Sequence, residues 1–403
     1  MLWSIAALFY AYEFLHRVAP SVLTVELKQA FSVNNHQLGT IGAMYFYAYA
    51  AFQLPAGILI DRYGTKRLLV IASGILTIGS FLFTITTSRT LAELSRFMIG
   101  AGSAFAFVGC LKIGAQWLKM SSFPLVVGLT NLCGTLGALS GGTPLSYLVQ
   151  EISWRSAMLQ LSFAGLFITL LLWFFLPEKQ ASQEKQSEHH LIAGLLLVIK
   201  NPQSWIIALY GALLVAPIVA LPEMWGVEFL RIAYDIPTTT ASSITHTIFI
   251  GTAIGGPFLG WLVMFVRNKQ LFMCIASFIA LILLLLFLYS PLPPLPYLYI
   301  ILFFYGMCTA NMLLCFTLMT QQHPFWAQGA AIGFTNMIIM AFGGIAQDRI
   351  GWILHKLHSG HAGHFQLQDY HYALSLLPLC LLIAMVLTQM MKSKTEKKDG
   401  RPV

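Results

Sequence analysis

Three observations predict that this chain of 403 residues is an all-α membrane protein, with twelve transmembrane helices in two pseudo-symmetric six-helix bundles. The first is composition: 57% of residues are apolar, only 9% are charged and the mean hydropathy is +0.74, too little polar surface to coat a water-soluble globule of this size. The second is a series of twelve apolar stretches, each near the roughly 20 residues that a ~30 Å bilayer core demands. They begin near Leu2, Gln37, Leu68, Leu91, Leu125, Trp154, Ser204, Ala241, Leu271, Pro296, Ala327 and Tyr372. The third is repetition: Leu27-Lys28-Gln29-Ala30-Phe31-Ser32-Val33 returns 203 residues later as Leu230-Arg231-Ile232-Ala233-Tyr234-Asp235-Ile236. Gly57 pairs with Gly260 at the same offset, and Gly128-Leu129-Thr130-Asn131 returns as Gly333-Phe334-Thr335-Asn336 at an offset of 205. Duplicated halves of an apolar protein place a solute site between them.

The elements follow in order. Six spans over residues 1–176 form the first bundle, and the first span is expected to remain as an anchor because no basic leader or small-residue cleavage site precedes it. Composition breaks from Pro177 to Lys200, where Glu178, Lys179, Gln180, Glu184, Lys185 and Glu188 crowd together, so 177–200 is a linker. A second bundle occupies 201–391, and the basic tail 392–403 has no apolar face and is expected to be disordered. Of the 23 Lys and Arg residues, fourteen fall in loops and tail on the side of the termini, six on the other side and three, Arg17, Arg96 and Lys112, inside spans. The bias predicts cytoplasmic termini in a multi-pass inner-membrane protein. Topology thus accounts for the formal charge of +8, and no nucleic-acid partner is needed. All six cysteines lie within apolar spans, which predicts neither disulfide nor Cys-based metal site.

Between the second and third spans the chain reads Gly57-Ile-Leu-Ile-Asp61-Arg62-Tyr-Gly64-Thr-Lys66-Arg67. The glycines permit close approach and a sharp turn, and Asp61 can meet a helix N-terminus or a basic partner. At this place in a twelve-span chain, the segment resembles the signature loop of the major facilitator superfamily. In the second half Gly260 survives, Asp61 corresponds to Met264 and the turn shrinks to Arg267-Asn-Lys269, so a gating role rests on Gly57, Asp61, Arg62, Gly64, Lys66 and Arg67. Leu94-Ser95-Arg96-Phe-Met-Ile-Gly100-Ala-Gly102 is similar to the superfamily's fourth-helix motif, whose arginine the resemblance ties to substrate or proton coupling. Gly134, Gly137, Gly141, Gly142 and Pro144 look like a loosened fifth-helix motif of the antiporter branches, although glycines there also serve close helix packing. Phe14-Leu-His16-Arg17-Val-Ala-Pro20-Ser21 and Phe105-Ala-Phe107-Val-Gly109-Cys-Leu-Lys112 resemble a bacterial subgroup related to organic-anion symporters and, distantly, to the lysosomal dipeptide transporter. The resemblance implies alternating access about a midplane site.

Charge at membrane depth is costly and therefore marks candidate sites. At 100° per residue, Glu13 and Arg17 lie only about 40° apart around the first span, with Tyr10 on the same stripe. A Glu13–Arg17 pair facing the cavity is expected. Arg17 then offers a fork of donors to a carboxylate while Glu13 or His16 takes a proton; alternatively, the pair only neutralises itself for insertion. Arg96 and Lys112 are about 24 Å apart along a helix and cannot both grip one small ligand. Each is a candidate for the cavity, and Lys112 can instead snorkel to the surface. In the second half Glu223, Asn311 and Asn336 are the polar candidates, Glu223 for proton coupling or as a solvated rim residue. Ala220 stands where the first half has Arg17, so the two-arginine clamp of organophosphate exchangers is missing. His355, His358, His361 and His364 recur every three residues, a pattern that suits a solvated loop or divalent metal capture, and no metal site is assigned.

These residues predict a proton-coupled symporter for a small carboxylate-bearing or zwitterionic solute, acting as a monomer without cofactors. The alternatives are a drug or metal-chelate exporter, or a solute sensor that does not transport. An enzyme is not expected, because the chain offers no nucleophile–base arrangement, metal-ligand pair or phosphate-cradling loop.

Overall fold

The computed structural model describes residues 2–117, 123–178, 188–266, 268–291, 293–358 and 366–391. Among them the helices group into twelve rods, whose starts lie within five residues of those read from the sequence. They are α1 (2–31), α2 (Asn35–Tyr63), α3 (Thr65–Ile85), α4 (Arg89–Ala115), α5 (123–152), α6 (Trp154–Phe175), α7 (Pro202–Tyr234), α8 (Thr238–Phe265), α9 (Lys269–Tyr289), α10 (Leu295–Gln322), α11 (Gln328–Leu357) and α12 (Leu367–Met390). Nine are long and apolar enough on their own to cross a membrane. Of the other rods, α1 and α5 are each interrupted part-way.

Rods α1 to α6 pack on one another, as do α7 to α12, and the two halves meet along α2 with α11 and α5 with α8. The 203-residue repeat equates α2 with α8 and α5 with α11, so the two seams are related by the duplication. An additional helix, Glu188–Lys200, lies in the segment that composition marks as a linker; it contacts α11 and the turn Phe325–Ala327, and Trp205 donates to its Ile199 carbonyl at 2.9 Å. The crowded charges that mark the linker obscure the apolar run Leu195–Ile199 that builds this helix.

The seams are tight at the end remote from the termini and loose at the other. At the remote end a Cβ on Gly39 or Gly351 would run into the opposite half, and one on Gly142 would meet His246. Towards the termini a Cβ on Gly57, Gly128, Gly260 or Gly329, one on each seam helix, would meet nothing within 4 Å. The seam glycines are hemmed in at the remote end and open at the terminus end, where the halves still meet at Leu54 and Gly333. Gly64 ends α2 and begins α3 with φ 89°, a conformation that glycine alone adopts without strain, as the loop motif predicts.

Candidate functional site

Two helix breaks face each other across the halves. After Val18, α1 tightens into a 3₁₀ turn at Ala19–Val22 containing Pro20; α7 relaxes into a π turn at Leu221–Trp225 containing Pro222. The two turns lie against one another. Proline removes a backbone donor, and each break frees backbone groups and directs nearby side chains into the junction.

Arg17 is the last full turn of α1 before its break, and its fork reaches Glu223 on α7, 206 residues away. Nε donates to Oε2 at 2.9 Å and Nη2 lies 2.9 Å from Oε1. The guanidinium sits between the rings of Phe14 and Phe46, 5.1 and 5.2 Å from their centroids. Both partners are buried, Arg17 at 6% exposure and Glu223 at 1%. The expected Glu13–Arg17 pair is therefore replaced by a pair between the halves. The physical reason is position: the helix ends one residue after Arg17, so the side chain projects from a break towards a whole carboxylate presented by the facing break.

Glu13, fully buried, instead accepts from the Tyr45 hydroxyl of α2 at 2.6 Å, and its Oε1 has no partner. Tyr10 packs against Phe14, Phe107 and Gly134 on the same side of α1. His16 points elsewhere. Its ring meets Tyr12 edge-on at 4.6 Å, and the Tyr12 hydroxyl donates to Leu161 on α6, so His16 faces the interior of the first half with neither ring nitrogen partnered. Arg96, 2% exposed, donates from Nη1 to the His16 carbonyl at 2.8 Å and covers the Tyr45 ring at 5.0 Å; its Nε has no partner. Lys112 is half-buried beyond a turn at Ala104–Phe105 that splits α4.

In the second half, Asn311 donates to the Tyr210 hydroxyl at 2.6 Å and to the Met273 carbonyl at 3.1 Å, which places it inside that bundle between α7, α9 and α10. Asn336 is half-buried on α11, beside Tyr49 of α2. His246 of α8 donates from Nε2 to the Pro222 carbonyl at 2.8 Å, since a carbonyl can only accept, which leaves Nδ1 to accept from Ser242 at 2.8 Å. The loop residues divide: Arg62 is exposed and lies over Tyr63, Arg67 is exposed, Lys66 is half-buried, and the Asp61 side chain lies outside the described residues, as do His361, His364 and Arg267.

Above the Arg17–Glu223 pair, further polar contacts close the remote end. Lys28 meets Glu228 at 2.5 Å, Thr40 donates to Asp348 at 2.8 Å with His36 at 3.8 Å, and Thr143 and Ser242 approach to 3.3 Å. Sequence reasoning missed Tyr45, Glu228 and Asp348. The tyrosine run Tyr45, Tyr47, Tyr49 in an otherwise apolar span was the available signal for the first. The fifth-helix glycines pack directly on the α1 backbone: Gly137 against Ala11 and Gly141 against Leu15.

The family model for the Major Facilitator Superfamily matches residues 2–347. The chain is similar to "Probable sulfoacetate transporter SauU" of Cupriavidus necator, 25% identical over 191 residues that make up 47% of this chain and 44% of that one. It is also similar to "Hexuronate transporter" of Bacillus subtilis, 25% identical over 175 residues, or 43% and 41% of the two chains. The matched stretches thus span less than half the length of these relatives. Over its whole length the fold superposes on a bacterial homologue of the human lysosomal transporter Spinster, solved inward-facing and occupied, with TM-score 0.81, 13% identity, and 100% and 98% of the two chains covered. The match across most of the sequence, with a fold shared over the whole length, establishes this chain as a multi-pass membrane protein of the Major Facilitator Superfamily.

Proposed function

We propose that this transporter moves a small carboxylate-bearing solute together with a proton by alternating access, with Arg17 as the anion ligand and Glu223 as the principal proton carrier. The observation that carries it is the buried Arg17–Glu223 pair joining the halves. Parting the halves at the remote end separates two charges in a low-dielectric setting, and a buried ion stripped of its partner costs several kcal/mol. Two substitutions offset that cost together: a solute carboxylate takes the place of Glu223 on the Arg17 fork, and a proton takes the place of Arg17 on Glu223. Neither substitution alone balances the charge. Anion and proton therefore travel as a unit, and re-forming the pair expels both. Glu13 lies one turn from Arg17, with one oxygen unpartnered, and is a second place for a proton.

The names of the sulfoacetate and hexuronate relatives, both acidic solutes, support an anionic cargo. With the termini in the cytoplasm, as the Lys and Arg bias predicts, the remote end faces outward and the Lys28–Glu228 and Thr40–Asp348 contacts seal it on that side of the cytoplasmic membrane. Close packing on α1, and on His246 for Gly142, accounts for the fifth-helix glycines, so they add no support to export.

The test is uptake of labelled D-glucuronate and sulfoacetate into proteoliposomes under an imposed pH gradient, acidic outside. Wild type should concentrate one of the two; Arg17→Ala should take up neither while remaining folded, and Glu223→Gln should lose dependence on the gradient. Full uptake by Arg17→Ala would remove Arg17 from the site.

A further inference from the structure

The α1 break poses a local accounting problem that sits one residue from Arg17. In an α-helix the His16 carbonyl would accept from the N–H four residues on, but that residue is Pro20, which has none. The chain tightens at Ala19–Val22, where Leu23 N–H reaches back three residues to Pro20. The α7 break treats the same problem differently. There Pro222 sits in a π turn in which the Gly226 N–H reaches back five residues to Leu221, so the main chain lengthens its register at the break. At the α1 break the donor that reaches the His16 carbonyl from outside the helix is a side chain, Arg96.

We propose that Arg96 is a positioning residue: its Nη1, 2.8 Å from the His16 carbonyl, supplies the hydrogen bond that Pro20 cannot, and thereby fixes the end of α1 from which Arg17 projects. Three observations agree. The donor meets the one carbonyl whose helical partner is a proline. The guanidinium is 2% exposed with its face against Tyr45, and the hydrogen bond on its fork goes to that carbonyl. The Tyr45 hydroxyl at the far side of that ring holds Glu13, so one side chain steadies the carbonyl, the ring and through it the second carboxylate. Arg96 acts on the solute through Arg17.

The assignment divides into a backbone claim and a transport claim, and only the second rests on the function proposed above. Arg96→Met removes the donors at similar bulk, and Pro20→Ala returns an N–H to the His16 carbonyl, so the double variant Pro20→Ala/Arg96→Met should repair what Arg96→Met breaks. Hydrogen–deuterium exchange of the peptide 14–24 reads the first claim: exchange should rise about tenfold in Arg96→Met, the scale of one buried charge-assisted hydrogen bond, and return close to wild type in the double variant. Unchanged exchange in Arg96→Met, or no recovery in the double variant, overturns the brace. D-glucuronate uptake reads the second: Arg96→Met should raise KM about tenfold with a smaller change in maximal rate, and the double variant should recover. A double variant as impaired as Arg96→Met would make Arg96 a solute ligand and overturn the positioning role. If wild type moves no D-glucuronate, the transport reading fails and the exchange experiment still decides the brace. Should Arg96→Met not fold, recovery of folded protein on adding Pro20→Ala is the repair itself, and its absence overturns the proposal.

Discussion

α1 and α7 occupy equivalent places in the duplicated frame, and each breaks at a proline near the middle of the molecule, yet they differ in hand-over and in charge. α1 shortens its hydrogen-bond register and calls on Arg96; α7 lengthens its register and is held from the side by His246 on the Pro222 carbonyl and by Gln347, whose Nε2 donates to the Val219 carbonyl at 3.0 Å. α1 carries Glu13, His16 and Arg17 in one turn, whereas α7 carries Glu223 among apolar neighbours. The difference teaches that duplication preserved the position of the break and left its hydrogen-bond register and its charge free to diverge. One copy carries the buried cation and the other supplies the answering carboxylate.

The largest effect expected from disturbing this asymmetry is at the pair itself. Arg17→Ala or Glu223→Ala, each leaving a buried charge alone, should lower stability by about 3–5 kcal/mol. Arg17→Met with Glu223→Leu should regain most of that loss while remaining transport-dead; thermal unfolding in detergent separates the three proteins, and equal losses in all three would mean that the pair is not desolvated. Next comes His246→Phe, which removes the hydrogen bond to the Pro222 carbonyl at the α7 break and the one that Nδ1 accepts from Ser242, and should cost about 1–3 kcal/mol in the same measurement. Pro222→Ala should matter less, about 1 kcal/mol or below, because the carbonyl of residue 222 keeps its hydrogen bond from His246. A Pro222→Ala loss as large as that of His246→Phe would show that the two breaks are not repaired by different means. The smallest effect belongs to Lys28→Gln at the remote seam, where the lysine side chain is 19% exposed: about 0.2–1 kcal/mol, shrinking as salt is raised.

Much of the frame was readable from the chain because it depends on local chemistry. Twelve apolar runs, the polar breaks between them and the Gly64 turn each follow from residues a few positions apart. Arg17 was readable as a candidate for the same reason, since charge in an apolar run stands out. Its partner was not: helical spacing pairs Glu13 with Arg17, and nothing periodic links residue 17 to residue 223. Arg96 was found by its motif, and its acceptor, a backbone carbonyl orphaned by a proline on another helix, has no side-chain signature. Asn311 looked like a site residue because polar groups in apolar spans do, yet it hydrogen-bonds within its own bundle. Burial cost selects polar residues for partners, and a sequence does not say whether the partner is protein or solute.

The separation of Arg17 from Glu223 also sets an order of events in biosynthesis. Translation delivers α1 to the membrane with its arginine long before α7 exists; at about 5–20 residues per second, the intervening 206 residues take roughly 10–40 s. During that interval the nascent first half holds a cation whose final counter-charge has not been synthesised. Glu13, one turn away on the same helix, is the carboxylate nearest in sequence and the natural temporary partner. The ion pair expected from helical spacing then belongs to the newborn chain, and the one in the finished protein replaces it when the second half arrives.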